Sequence, residues 1–246
     1  MHFQYAGSPY INREDLKQSY REYWAMLARP GNWWNGEQRV AIAAESRNAN
    51  SCDYCARRKK ALSPYNFSGE HNHHGQLPAA TIDAIHRIIT DQSRITQAWI
   101  KDNASQGFSE EQYVELLGIV VTVFSIDEFN RALDLSPEPL PQPQPGEPDQ
   151  YRPTEAQHGT GFVAMLPVKG LSPQNADLWP QGRSANVLRA ISLVPDAVRG
   201  WTTVSEGQYL SFNQIMAPTA DTNRALNRMQ IETVAGRVSS INECFY

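Results

Sequence analysis

Ser109-Glu-Glu-Gln-Tyr-Val-Glu-Leu-Leu-Gly-Ile-Val-Val-Thr-Val-Phe-Ser-Ile-Asp-Glu-Phe-Asn-Arg-Ala-Leu133 is the stretch on which the fold class turns. Its β-branched run, Ile119 to Val123, has strand propensity. Its start says otherwise. Ser109 followed three residues later by Gln112 has the form of a capping box, in which each side chain satisfies the other residue's backbone N–H. Tyr113, Leu116, Val120, Val123 and Phe124 then recur at helical spacing, so the stretch predicts one long helix towards Leu133.

Working outward, the same signals predict helices from Arg13 to about Ala28 (capped by Asn12), Gly36 to Asn48, Asp53 to Leu62, Ala79 to about Thr90, and Arg94 to Ser105 before Gly107. Beyond residue 153 they predict Ala185–Val194, Asp196 to about Ser205 and Asn223–Ile241. The last carries an apolar stripe at Ile231, Val234, Ala235, Val238 and Ile241. With almost no strand signal, the predicted class is all-α. From Ser136 to Pro153 lie seven of the chain's 16 prolines, a pattern that excludes helix and favours an extended connector. The expected organisation is a helical domain (1–135), a Pro-rich linker (136–153) and a second, incomplete helical segment (154–246).

The chain has 246 residues, 41% of them hydrophobic, with 22 basic residues against 26 acidic. That hydrophobic share is ordinary for a globular protein and argues against wholesale disorder. Net charge −4 without a long basic run argues against nucleic acid or an anionic membrane as main partner. No apolar run approaches the ~20 residues that span a bilayer, and the first residues do not resemble a secretory signal. A cytoplasmic protein is expected.

Sliding the end of the chain by 192 positions lays Gln230–Tyr246 over Gln38–Tyr54, with Gln38/Gln230, Ala43/Ala235, Asn50/Asn242, Cys52/Cys244 and Tyr54/Tyr246 identical. The shared Asn-x-Cys-x-Tyr unit follows a predicted helix in both places, the mark of a partial repeat.

Cys52 and Cys55 form a C-x-x-C at the start of a predicted helix, with Asn50 as its expected cap. Two sulfurs one turn apart can form a disulfide, and a helix N-terminus lowers a thiol's pKa. Lys59, four residues after Cys55, places a cation on the same face and favours thiolate. Zinc is an alternative that needs two more ligands, with His71, His73 and His74 as the suppliers. Two buried structural thiols is another.

The stretch from Glu37 to Cys55 resembles the carboxymuconolactone decarboxylase and AhpD-like alkylhydroperoxidase superfamily. So does Gly107-Phe-Ser-Glu-Glu-Gln-Tyr-Val-Glu-Leu-Leu-Gly118, and Arg224 to Tyr246 is similar to that family's cysteine-bearing helix. The resemblance implies an all-helical, oligomerising fold and thiol peroxidase chemistry. Cys55 would attack the peroxide, Cys52 would resolve the sulfenic acid, and a dithiol protein would reset the pair, with no metal or organic cofactor. The family also places a glutamate twelve residues before the first cysteine and a histidine four after the second, as a proton relay. Here those positions hold Val40 and Lys59. Glu45 and His86 are candidates to replace them, though they also read as a surface carboxylate and a locally packed helix-face histidine.

In the partial repeat, Glu232 lies twelve residues before Cys244, where the family glutamate belongs, and the sequence ends at Tyr246 inside the motif. A shortened chain, a degenerate second copy, or a truncated selenoprotein with selenocysteine encoded at position 247 would each account for this. The expected function is thiol-dependent reduction of a small hydroperoxide or dithiol–disulfide exchange. A non-catalytic helical assembly module is the alternative from another class. Lactone decarboxylation, the activity in the superfamily's name, would need a histidine where Lys59 stands.

Overall fold

The computed structural model describes residues 2–10, 13–75, 77–179, 182–217, 219 and 221–244. Before the Pro-rich stretch lie α1 (Glu14–Ala28), α2 (Gly36–Ala49), α3 (Asp53–Lys60), α4 (Ala79–Thr90), α5 (Gln97–Ser105) and α6 (Glu110–Ala132). After it come α7 (Asn186–Arg189), α8 (Pro195–Gln208), α9 (Phe212–Met216) and α10 (Arg228–Ile241). Among the described residues there is no strand, only an isolated antiparallel bridge between Gln157 and Met165. The fold is all-α, as expected.

The capping box decides α6. Ser109 Oγ accepts the Gln112 amide at 3.2 Å, and Gln112 Oε1 accepts the Ser109 amide at 3.0 Å. The β-branched Ile119, Val120 and Val123 are buried, and α6 packs against α2, α4 and α8. Tertiary burial on a helical period overrides their strand propensity.

Several boundaries moved for local reasons. Asn12 lies outside the described residues, and Arg13 occupies the N-cap position of α1 without a side-chain cap bond. α5 begins at Gln97 because the Thr96 hydroxyl accepts the Trp99 amide at 3.1 Å. α10 begins at Arg228: Asn223 has φ +52°, outside the helical region, and Asn227 caps the helix. The predicted Ala185–Val194 helix shrinks to α7, because the Ser192 hydroxyl turns back onto the Arg189 carbonyl and accepts the Leu166 amide. α9, with its Ser211/Gln214 capping box, was not predicted.

The core draws Trp24, Ile42, Ile85 and Val120 from the first part of the chain and Leu166 and Val198 from the second. Residues of the expected units 1–135 and 154–246 therefore share one apolar core. The Pro-rich stretch lies along α1: the Trp24 indole donates to the Pro139 carbonyl at 2.9 Å, and the Gln144 amide donates to the Ala28 carbonyl at 2.7 Å.

Two polar ties fix α2 on α6. The buried Arg39–Glu115 pair is one, and its carboxylate also accepts the Trp33 amide at 2.6 Å. The other is a two-pronged Arg47–Asp127 bridge with both contacts at 2.8 Å. The helices α2 and α10 share cap chemistry 192 positions apart: Asn35/Gln38 and Asn227/Gln230 both close capping boxes, and Asn50 and Asn242 both stand at C-caps. Their burial differs. Of the α10 stripe Ile231 is buried, while Val234, Val238 and Ile241 are exposed.

Gly118 lies where α6 passes close to α8, since a Cβ there would lie 2.7 Å from the Ala197 methyl. Gly→Ala inside a helix ordinarily gains about 1 kcal/mol. Here overpacking of about 1–3 kcal/mol offsets it, so Gly118→Ala is expected to destabilise or at best break even in urea unfolding. A clear stabilisation would refute the close packing.

Candidate functional site

Cys52, Tyr54 and Cys55 form a small buried cluster separate from the main core, with Phe67 packed on it. The turn from α2 into α3 is tight: the Ser51 amide donates to Asn48 and the Cys52 amide to Ala49. Asn50 is consumed as the C-cap of α2, which corrects its expected role, and Cys52 itself holds the N-cap position of α3. Cys55 sits one turn further, in the positive end of the helix dipole.

Both cysteines are free thiols, 2% and 3% exposed. Their sulfurs lie within 4.8 Å of each other and are not bonded to one another.

Two imidazoles converge on Cys55. His86 Nδ1, from α4, and His71 Nδ1, from the loop before α4, each stand 3.3 Å from its Sγ. His71 Nδ1 also lies 3.9 Å from Cys52 Sγ. Behind each ring stands a carboxylate. His86 Nε2 meets Glu45 Oε1 of α2 at 2.9 Å, and His71 Nε2 meets Asp83 Oδ1 of α4 at 3.3 Å. An ionised carboxylate only accepts, so each Nε2 carries a proton and each Nδ1 faces sulfur.

The outer groups are held in turn. Glu45 also accepts from the Asn48 amide group at 2.9 Å and the His74 backbone at 3.3 Å. Asp83 accepts from Arg87 Nε at 2.6 Å. Tyr54 packs edge-on to His71, with centroids 5.0 Å apart, and its hydroxyl donates to the Phe67 carbonyl at 2.8 Å. Gly69 lets the loop pass: a Cβ there would lie 2.6 Å from the Tyr54 ring.

Burial pushes the Cys55 thiol up, but hydrogen bonds from His71 and His86 outweigh it and hold Cys55 at about 5. Burial works against the His71 imidazolium, yet Asp83 and then the sulfurs raise it to about 10. For Asp83 the burial penalty is overcome by His71 and Arg87, which bring it to about 2. Glu45 is held below the usual carboxylate range: burial raises it, and its bonds to His86 and Asn48 more than compensate. The thiolate is the form present above its own pKa, so Cys55 thiolate absorbance in metal-free protein is expected to persist through pH 6 and fade as pH drops through about 5. Ultraviolet titration against Cys55→Ser checks this, and a midpoint near the free-thiol value of about 8.5 would contradict the pairing with imidazole.

The other expected site residues lie elsewhere. Lys59 is exposed on α3 and is not among the groups that shift Cys55. Its spacing puts it on the right face, but its long stem carries the charge to solvent. Of the loop histidines weighed as zinc ligands only His71 reaches sulfur. His73 is exposed and accepts the Gly75 amide, and His74 offers its backbone. Glu232 bonds to the Tyr209 hydroxyl at 2.6 Å, and Cys244 is an exposed free thiol.

Asp83 had no predicted role beside Cys55. Its signal was a polar stripe at Asp83, His86, Arg87 and Thr90, four residues at helical spacing among the apolar Ile82, Ile85 and Ile88 of α4.

A cavity of about 680 Å³ lined by Leu178, Trp179, Val198, Trp201 and Tyr209 includes none of the groups around Cys55. A smaller cleft of about 280 Å³ lined by Ala41, Ala44, Glu45, His74 and Leu77 does reach the Glu45–His86 line.

No family model, curated protein or solved structure matches the chain. Fold and site together define a helical protein with a buried dithiol flanked by two carboxylate-braced imidazoles.

Proposed function

We propose that the chain is a thiol-dependent hydroperoxide reductase of AhpD-like type, with Cys55 as the attacking group. The observation that carries this is the Glu45–His86–Cys55 line, at 2.9 and 3.3 Å. It supplies a proton acceptor and donor to a thiol held as thiolate.

In the reaction the Cys55 thiolate attacks the distal oxygen of a hydroperoxide. The O–O bond breaks, an imidazolium donates its proton to the departing alkoxide, and an alcohol leaves while Cys55 becomes a sulfenic acid. Cys52 thiolate then attacks that sulfur, and the sulfenic oxygen leaves as water after taking up a proton. A dithiol protein returns two electrons and two protons to the disulfide. The cleft beside Glu45 suits a small peroxide, and a reducing cytoplasm would keep the pair ready. The resemblance of Glu37–Cys55 to the superfamily supports this reading. Glu45 and His86 stand in for the residues missing at positions 40 and 59.

The test uses reduced, metal-free protein and an organic hydroperoxide such as cumene hydroperoxide. One equivalent is expected to disappear, with a Cys52–Cys55 disulfide appearing in peptide mass maps. Reduced protein that consumes none would overturn the proposal.

The exposed Val234, Val238 and Ile241 of α10 favour a second reading, self-association through that face. Sedimentation addresses it independently of peroxide chemistry.

A further inference from the structure

A proton relay to Cys55 needs one braced imidazole, and the site has two. The second imidazole, His71, approaches Cys52 Sγ as well, at 3.9 Å, and it brings its own carboxylate, Asp83. One ligand atom from each of Cys52, Cys55, His71 and His86 lies within 4.8 Å of all the others, and Nδ1 is the atom that each histidine turns to Cys55 Sγ. We infer that these four side chains form a tetrahedral zinc site.

At ordinary bond lengths a tetrahedral shell of two nitrogens and two sulfurs separates its ligand atoms by roughly 3.3–3.8 Å. The Cys55–His71 and Cys55–His86 edges are both 3.3 Å, and the Cys52–His71 edge is 3.9 Å. The rings agree with this geometry. Both turn the same nitrogen, Nδ1, to the sulfurs and direct Nε2 to a carboxylate, Asp83 or Glu45. That carboxylate–histidine–metal arrangement fixes ring orientation and raises ligand basicity.

Thiolate and imidazole donors select zinc over magnesium or calcium. Two thiolates, two neutral imidazoles and Zn²⁺ sum to zero charge, which suits a buried site. The positions come from three sources: the N-terminal turn of α3, the Tyr54-packed loop and the inward stripe of α4. Their convergence at one point is therefore not a by-product of a single helix face.

The metal site goes beyond the thiol reading while sharing its residues, and resting on that reading it has a consequence. Zinc lowers the nucleophilicity of both thiolates, so a hydroperoxide oxidises the loaded site more slowly than the free thiolate and releases the metal as it does. The balance is two zinc-bound thiolates, one hydroperoxide and two protons giving the disulfide, one alcohol, one water and free Zn²⁺.

The test titrates reduced full-length chain with Co²⁺ under argon, then with Zn²⁺. Saturation at one equivalent is expected, with the visible bands of tetrahedral cobalt and a thiolate charge-transfer band, both erased by zinc. His71→Ala and His86→Ala should each remove the tetrahedral spectrum. Asp83→Asn keeps all four ligands and should weaken zinc about 10- to 100-fold, which keeps the test meaningful if a histidine variant fails to fold. Absence of a cobalt–thiolate band in folded wild-type protein would overturn the inference. So would a spectrum and affinity unchanged by His71→Ala and Asp83→Asn. No peroxide enters this measurement, so metal binding and peroxide reduction succeed or fail separately.

Discussion

Cys55→Ser protein is expected to consume organic hydroperoxide no faster than buffer, whereas Cys52→Ser should consume one equivalent and stop. The asymmetry follows from position. Cys55 alone touches both imidazoles, at 3.3 Å each, so it alone is held as thiolate by two donors. Cys52 has a 3.9 Å approach to His71, and its thiol donates to Asn72 Oδ1 at 3.6 Å. Without Cys52 the sulfenic acid on Cys55 has no resolving partner and accumulates, trappable by a 1,3-diketone such as dimedone. Peroxide loss and intact mass read both variants. If Cys55→Ser kept the wild-type rate, or if the trapped adduct sat on Cys52, the assignment of roles would be wrong.

His86→Ala should slow the same reaction by about 10²–10⁴-fold, the usual contribution of a positioned acid–base group. Glu45→Gln should cost less, because the side-chain amide oxygen can still accept from His86 Nε2 and hold the ring in place. His71→Ala has a different signature. Its ring and Asp83 help to hold Cys55 as thiolate, so the loss should be large at pH 6 and shrink above the ordinary thiol pKa of about 8.5. Rate constants across pH separate these roles from mere loss of packing, which would lower the rate evenly. Lys59→Ala should leave the rate unchanged, since that side chain is exposed.

The helices before residue 135 were legible because their signals are local. α4 has the predicted bounds, Ala79–Thr90, and the Ser109/Gln112 box that starts α6 forms both its bonds. Errors arose where two caps competed. Asn50 can start one helix or end another, and only the tight Asn48–Cys52 turn decides that it ends α2. At the site, the C-x-x-C spacing revealed Cys52 and Cys55, and Glu45 and His86 were named only as substitutes. What brings those two together is the packing of α2 on α4, a tertiary contact. His71 was named only as one of three loop histidines that could supply a zinc ligand. Its loop lacks periodicity, and it is placed by Tyr54, by Asp83 and by Asn48, which donates to the Asn72 carbonyl at 2.6 Å.

The Pro-rich stretch, first read as a connector, carries a consequence of another kind. Its backbone is fastened to α1 through Pro139 and Gln144, and beyond α1 the Gln150 amide donates to the Asn32 carbonyl at 2.8 Å. Seven prolines between positions 136 and 153 leave the unfolded chain few conformations there. Each proline whose ring suits the docked backbone is worth about 0.4–1 kcal/mol through the entropy that the unfolded state no longer has to lose. The strap can thus favour the native state while making few hydrogen bonds of its own, because much of its order is already present before folding.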